Sequence, residues 1–257
     1  MYRLLRLSNA ILSTAISIIL IIVAVYACYC LWDNNQIYME AENVQEELLQ
    51  FKPTKAPNFS EILKINKDVC AWLTLDSTEI DHPVLQGNTN FDYINTDVYG
   101  NFALAGSIFL DAGNDKGFSE PYSVLYGHHM DNRRMFGDLD LYKDEAFFKQ
   151  SHTGTLILPE ISYSLEPVAC MLVPASEKRI FSTSIWDNGL NGLVDFIEAE
   201  AIHIAPDILA ELKARINAGE EPQVLALTTC SAEFTDARTI VLVLMNNNTR
   251  EDREDDK

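Results

Sequence analysis

Hydrophobic and polar positions alternate along this chain in three regimes. The first is NAILSTAISIILIIVAVYACYCLW (9–32), 24 residues without a charge. As a helix rising about 1.5 Å per residue, it would span about 36 Å, more than the ~30 Å hydrocarbon core of a bilayer. The second, YMEAENVQEELLQF (38–51), spaces its apolar residues for an amphipathic helix. Lys52-Pro53-Thr54-Lys55-Ala56-Pro57 breaks that helix, because proline lacks a donor and disfavours helix in the residue before it. Ser60 stands where it would cap a further short helix, SEILKIN.

From residue 71 the third regime is β. AWLTLD, HPVLQ, GSIFLD, SVLYGH, TLILPE, SYSLEPVACMLVP, QVLALTTC and TIVLVLMN are short runs rich in Val, Ile, Leu and Thr, with turn residues between many of them. The interval 184–218 interrupts the series and reads as two helices meeting near Pro206, with Gly219 as the stop. Together these predict a mainly β fold: an eight-stranded, closed or nearly closed barrel with N-terminal helices and a long helical insertion before the seventh strand. Closure removes the strand edges that an exported domain must otherwise protect. The boundaries expected are 1–34 for a cytoplasmic stub and anchor, 35–59 for a helical linker and 60–247 for the barrel. Residues 248–257, with the charged run TREDREDDK, form a disordered tail.

Charge adds direction. Arg3 and Arg6 precede the apolar run; Asp33, Glu40, Glu42, Glu46 and Glu47 follow it. The positive-inside rule puts the N-terminus in the cytoplasm and the remainder outside, as a single-pass protein of the cell membrane. A cleaved signal peptide is the alternative, with Val25-Tyr26-Ala27 as a small-residue site. The run exceeds an h-region of roughly 7–15 residues, which favours an uncleaved anchor. The formal charge of −19 argues against a nucleic-acid binder, which needs a basic stripe.

Of five cysteines, Cys28 and Cys30 fall in the apolar run. Cys70 and Cys170 have apolar neighbours and read as small buried hydrophobes, though sequence leaves a bridge between them open. Cys230 is the thiol left over, at a strand end followed by Ser, Glu, Thr and Asp. A nucleophilic cysteine needs a base or positive charge to favour thiolate, and an electrophilic group for the oxyanion. YGHHMDNRRMFGDL (126–139) offers His128 and His129; the last strand opens with Arg238. Each taken singly reads more readily as a polar turn or an exposed cation. Zinc held by His128, His129, His152 and Cys230 is a rival, but no CxxC or HExxH spacing supports it.

The combination resembles the sortases, membrane-tethered cysteine transpeptidases of Gram-positive bacteria. The family's TLxTC strand end is matched by Ala226-Leu227-Thr228-Thr229-Cys230, with Ala for the first Thr. Its histidine follows a YGH strand end, here Tyr126-Gly127-His128, and its arginine opens the next strand, here Arg238. The likeness covers roughly 60–246 and is greatest to class B. That class shares a stretch like INKDVCAWLTLDSTEIDHPVLQGNTNFDYI, then AGSIF, YGHxM, MFGDL and a long helical segment before the cysteine strand. His129 falls where class B members often carry Asn.

The resemblance implies Cys230, His128 and Arg238 as catalytic residues. It implies Asn90, Ile94, Thr228 and Thr229 as substrate-binding residues, and no metal or organic cofactor. It further implies cleavage of an LPxTG- or NPxTN-type sorting motif through a thioester, with a main-chain N–H beside Cys230 as a second oxyanion donor. The acceptor would be a peptidoglycan-precursor amine, as in lipid II, or a pilin lysine. A cysteine protease working by hydrolysis and a catalytically silent tethered binding module are the rivals from other classes.

Overall fold

The computed structural model describes residues 2–54, 59–131, 133–150, 152–230 and 237–248. The expected tail, 249–257, and part of the expected break, 55–58, lie outside the described residues. Helix α1 (Tyr2–Leu49) joins the apolar run and the amphipathic segment in one element, where the sequence reading had separated them. No proline or glycine falls between 9 and 51, so nothing in the chain interrupts the helical ladder. Its first part belongs to a compact unit, Met1–Glu40, and the helix from Arg6 onward is long and apolar enough to cross a membrane. Apolar side chains from Ile11 to Val25 stay exposed there, as a lipid-facing surface would.

In the second unit, Ala41–Lys257, α2 (Ser60–Ile65) follows. Its N-cap is Phe59, and Ser60 is already helical, so the expected serine cap does not form. Burial of Phe59 against the barrel sets the entry point of this helix, overriding the capping preference. The chain continues through β1 (Val69–Leu75), β2 (Asp81–Leu85), β3 (Ile108–Leu110), β4 (Tyr122–Met130) and β5 (Arg134–Met135). A 3-10 helix (Gly137–Lys143) and α3 (Glu145–Phe148) lead to β6 (Gly154–Ile157) and β7 (Ser162–Pro174). The insertion holds α4 (Lys178–Phe181), a 3-10 turn (Thr183–Trp186), α5 (Asn191–Glu200), β8 (Ala201–Ile204) and α6 (Pro206–Asn217). β9 (Gln223–Cys230) and β10 (Ala237–Asn247) complete it.

Eight strands close into a barrel in the order β10-β9-β4-β3-β2-β1-β6-β7, and β7 returns to β10. The β2–β3 and β4–β9 pairs are parallel; the other neighbours in the ring run antiparallel. The eight expected strands are thus the eight of the ring. β5 and β8 are additional, and the second corrects the helical reading of 201–204. There the chain leaves α5 to pair with β7, at Cys170↔His203 and Ala169↔Ile204. Main-chain pairing with a strand distant in sequence overrides local helix preference.

Alternation along the strands sorts two cores. Leu125, Leu225, Leu227, Val241 and Val243 fill the barrel, whereas Val124, Ala226, Leu242 and Leu244 lie in an outer cluster with Leu193, Ile197 and Leu212 of α5 and α6. A third cluster sets Leu48, Phe59 and Ile62 against Trp72, Leu85 and Phe109. Burial on both faces explains why β9 and β10 read as continuous apolar runs. The 3-10 helix closes one end of the barrel with Leu139 and Tyr142, both buried.

Candidate active site

The C-terminal ends of β4 and β9 and the start of β10 meet at one place in the barrel wall. The parallel β4–β9 register pairs Tyr126↔Thr228, Gly127↔Thr229 and His128↔Cys230. The β9–β10 register ends at Ile240↔Thr228, and two further steps bring Arg238 level with Cys230. Cys230 therefore occupies the middle strand, with His128 on one neighbour and Arg238 on the other. Its side chain, and residues 231–236 with the main-chain donor expected beside Cys230, lie outside the described residues.

His128 is half-buried, and its Nε2 is 2.8 Å from the Ile94 carbonyl oxygen. A carbonyl only accepts, so this bond places the proton on Nε2. Ile94 was expected to line a substrate groove; here its main chain orients the ring. That carbonyl is held by a close approach. Gly106 has φ +58°, and a Cβ there would lie 2.1 Å from the Ile94 oxygen, which accounts for the glycine in AGSIF. Gly127 is similarly confined, its missing Cβ 2.4 Å from Ile108 Cδ1 and 2.8 Å from the Phe136 ring. Arg238 donates from Nη1 to the Thr229 carbonyl at 3.3 Å.

The other expected binding residues behave differently. Thr228 is fully buried, and its hydroxyl donates to the Leu125 carbonyl at 2.9 Å, fastening β9 to β4. Thr229 is also buried and offers its carbonyl to Arg238. Asn90 donates from Nδ2 to Asp111 Oδ2 at 2.8 Å and accepts from the Ala112 N–H at 2.7 Å. Asp111 Oδ2 also accepts from the Tyr126 hydroxyl at 2.8 Å. Tyr126, two residues before His128, is tilted against Phe109 and stacked on Phe181 with centroids 6.4 Å apart. Sequence reasoning missed both Asp111 and Tyr126, although each lies in a stretch it had singled out, GSIFLD and YGH.

His129 turns away from His128. Its Nε2 donates to Asp140 Oδ2 at 3.1 Å, and that bond raises its pKa above the usual imidazole value. His152 instead sets its ring 4.2 Å from that of Phe147. Among the described residues no three His, Cys, Asp or Glu side chains converge as metal ligands would. Cys70 and Cys170 are free thiols in the barrel core, and burial pushes both up to about 12. Neither forms thiolate near neutral pH.

No family model matches the chain. Sortase B of Staphylococcus aureus is 25% identical over 188 residues, which cover 73% of each chain. The solved structure of a Streptococcus pyogenes class B sortase involved in pilus biogenesis superposes with a TM-score of 0.64 at 31% identity, covering 73% of this chain and 97% of that one. A Staphylococcus aureus sortase B–substrate complex gives a TM-score of 0.65 at 23% identity, covering 84% of this chain and 97% of that one.

Proposed function

The chain belongs to the class B sortases and is a cysteine transpeptidase, and from that premise we propose that it joins secreted proteins bearing a C-terminal sorting motif of LPxTG or NPxTN type to an amine acceptor. Cys230 is the nucleophile, His128 the acid and base, and Arg238 the oxyanion donor. The observation that carries this assignment is the register that sets His128 and Arg238 on the two strands flanking Cys230.

The Cys230 thiolate attacks the threonine carbonyl carbon, and the carbonyl electrons move to oxygen. Arg238 stabilises that oxyanion with a planar, permanently charged donor set. Collapse breaks the C–N bond, the departing amine takes a proton from His128, and a thioester remains on Cys230. An incoming amine attacks the thioester and gives its proton to His128, and the thiolate leaves. With Nε2–H directed at Ile94 O, this proton exchange falls to Nδ1. Asn90 and the Tyr126–Asp111 pair border the groove for the motif, while Thr228 and Thr229 support it from within the wall.

The acceptor is a peptidoglycan-precursor amine. A pilin lysine is the second reading, favoured by the likeness to a sortase involved in pilus biogenesis. The apolar part of α1 anchors the protein in the cell membrane. Arg3 and Arg6 before it place the N-terminus inside and the barrel outside.

The test incubates the full chain in detergent with LPxTG and NPxTN peptides, with and without a glycine-based or lysine-based amine, and reads protein and peptides by mass spectrometry. An acyl adduct on Cys230 that passes to one amine supports the proposal and selects the acceptor. Product unchanged by any amine would make the enzyme a hydrolase, and no adduct with any peptide would remove the substrate assignment.

A further inference from the structure

One residue of the 3-10 helix joins both strands that flank Cys230. Asp140 Oδ2 accepts from His129 Nε2 at 3.1 Å, and Asp140 Oδ1 accepts from the Thr239 hydroxyl at 2.8 Å. His129 follows His128 on β4, and Thr239 follows Arg238 on β10. Side chains alternate along a strand, so these two point to the face opposite that of the residues before them. There they reach the same carboxylate beneath β9.

The base of this clamp is itself held firmly. Leu139 and Tyr142, on either side of Asp140, are buried in the barrel core. Asp138, almost fully buried, accepts from Arg133 Nε at 2.9 Å and from the Glu79 N–H at 2.7 Å. Lys143 adds a third partner for Asp140, its Nζ lying 2.8 Å from Oδ2. The charged groups facing His129 are Asp140 and Lys143 from the 3-10 helix and Asp131 beyond the end of β4. Burial alone would raise the Asp140 carboxyl, but its bonds to His129, Lys143 and Thr239 outweigh this and hold it well below the usual carboxylate range. It is therefore an anion at any working pH and accepts through both oxygens.

We propose that Asp140 is a positioning residue for the transpeptidation: by binding His129 and Thr239 at once, it sets the distance between His128 and Arg238 across the cysteine strand. The inference rests on the assignment of Cys230, His128 and Arg238 made above. Charge stabilisation and proton transfer depend steeply on placement, and a misplacement of about 1 Å can cost about 100-fold in rate. A clamp on the next residue of each strand controls that placement without touching substrate.

The experiment measures kcat and KM for peptide transfer by the full chain in detergent, with thermal melting, for wild type, Asp140→Ala, Asp140→Asn and Thr239→Val. Cys230→Ala is run alongside. Asparagine keeps an oxygen to accept one of the two bonds, and alanine keeps none. The result expected is a loss of about 10–100-fold in kcat for Asp140→Ala with KM within about twofold, well below its melting temperature. Asp140→Asn recovers a large part of that loss, and Thr239→Val, which cuts one arm, loses several-fold.

Wild-type kcat in folded Asp140→Ala overturns the inference, as does equal impairment of the alanine and asparagine variants. If Asp140→Ala does not fold, Thr239→Val decides: an unchanged kcat overturns the inference and a several-fold fall upholds it. An active Cys230→Ala would instead overturn the catalytic assignment. That outcome is distinct from an inactive Cys230→Ala beside an unimpaired Asp140→Ala, which removes only the clamp.

Discussion

The two faces of the β4, β9 and β10 strand ends treat their polar groups in opposite ways. On the inner face, His129, Asp140, Lys143 and Thr239 satisfy one another side chain to side chain. On the outer face, His128 and Arg238 lean on main-chain carbonyls, those of Ile94 and Thr229. A carbonyl orients a donor without neutralising it, so the main chain sets the direction of both outer side chains. The inner set spends its charge on rigidity. Under the proposed mechanism, adjacent residues on one strand divide chemistry from support.

The comparison breaks first at the outer face. Cys230→Ala is expected to abolish acyl-enzyme formation. Arg238→Lys, which keeps charge but loses the planar donor set, is expected to lower kcat/KM by about 100–1,000-fold in a peptide-transfer assay with unchanged melting. Full turnover by the lysine variant would take the oxyanion role away from Arg238.

Gly106→Ala tests whether the Ile94 carbonyl orients His128. A Cβ at φ +58° and 2.1 Å from that oxygen must displace it. The expected outcome is a fall of about 10-fold or more in kcat and a loss of about 1–3 kcal/mol in stability, read from turnover and urea unfolding. A variant with wild-type kcat would show that the ring is placed by other groups.

The core cysteines sharpen the contrast with Cys230. Cys170→Ser puts a hydroxyl in an apolar core and should cost about 1–3 kcal/mol in urea unfolding while leaving kcat intact. Cys230→Ser should do the reverse. Lost turnover in a folded Cys170→Ser would place a second thiol in the chemistry.

Two histidines should tilt stability with pH in opposite directions. His82 is buried with its Nε2 unpartnered among the described residues, and burial lowers it to about 4. The unfolded chain then binds more protons between about pH 6.5 and 4, so this group costs stability as pH falls through that window. His129 has a raised value in the fold, so its contribution is complete below about pH 6.5 and is lost as pH rises through the folded value. Urea midpoints against pH should have a reduced acid slope in His82→Gln and a reduced loss above pH 6.5 in His129→Gln. Parallel curves for wild type and His82→Gln would place the acid sensitivity elsewhere.

Much of this was legible because it is local. The uncharged 9–32 run, the eight apolar runs of the barrel and Gly219 as a helix stop (φ +78°) depend on near neighbours and on backbone freedom. YGH, AGSIF and MFGDL could be quoted as motifs. The reason Gly106 and Gly127 are glycines appears only when Ile94, Ile108 and Phe136 arrive beside them. Strand β8 was misread as helix because its partner on β7 lies about thirty residues away in the chain.

By itself, the sequence determined the membrane-length helix, the strand count of the barrel and the cysteine, histidine and arginine whose residue types suit acyl transfer. Only the tertiary structure decided that β4 and β10 flank β9 and that Ile94 acts through its carbonyl. It alone buried Cys70 and Cys170, and it alone made Asp140 the partner of both His129 and Thr239. The physical reason is range. Periodicity and propensity are set within a few residues, whereas register, burial and hydrogen-bond partnership join positions such as Asp140 and Thr239 that meet only when the barrel closes.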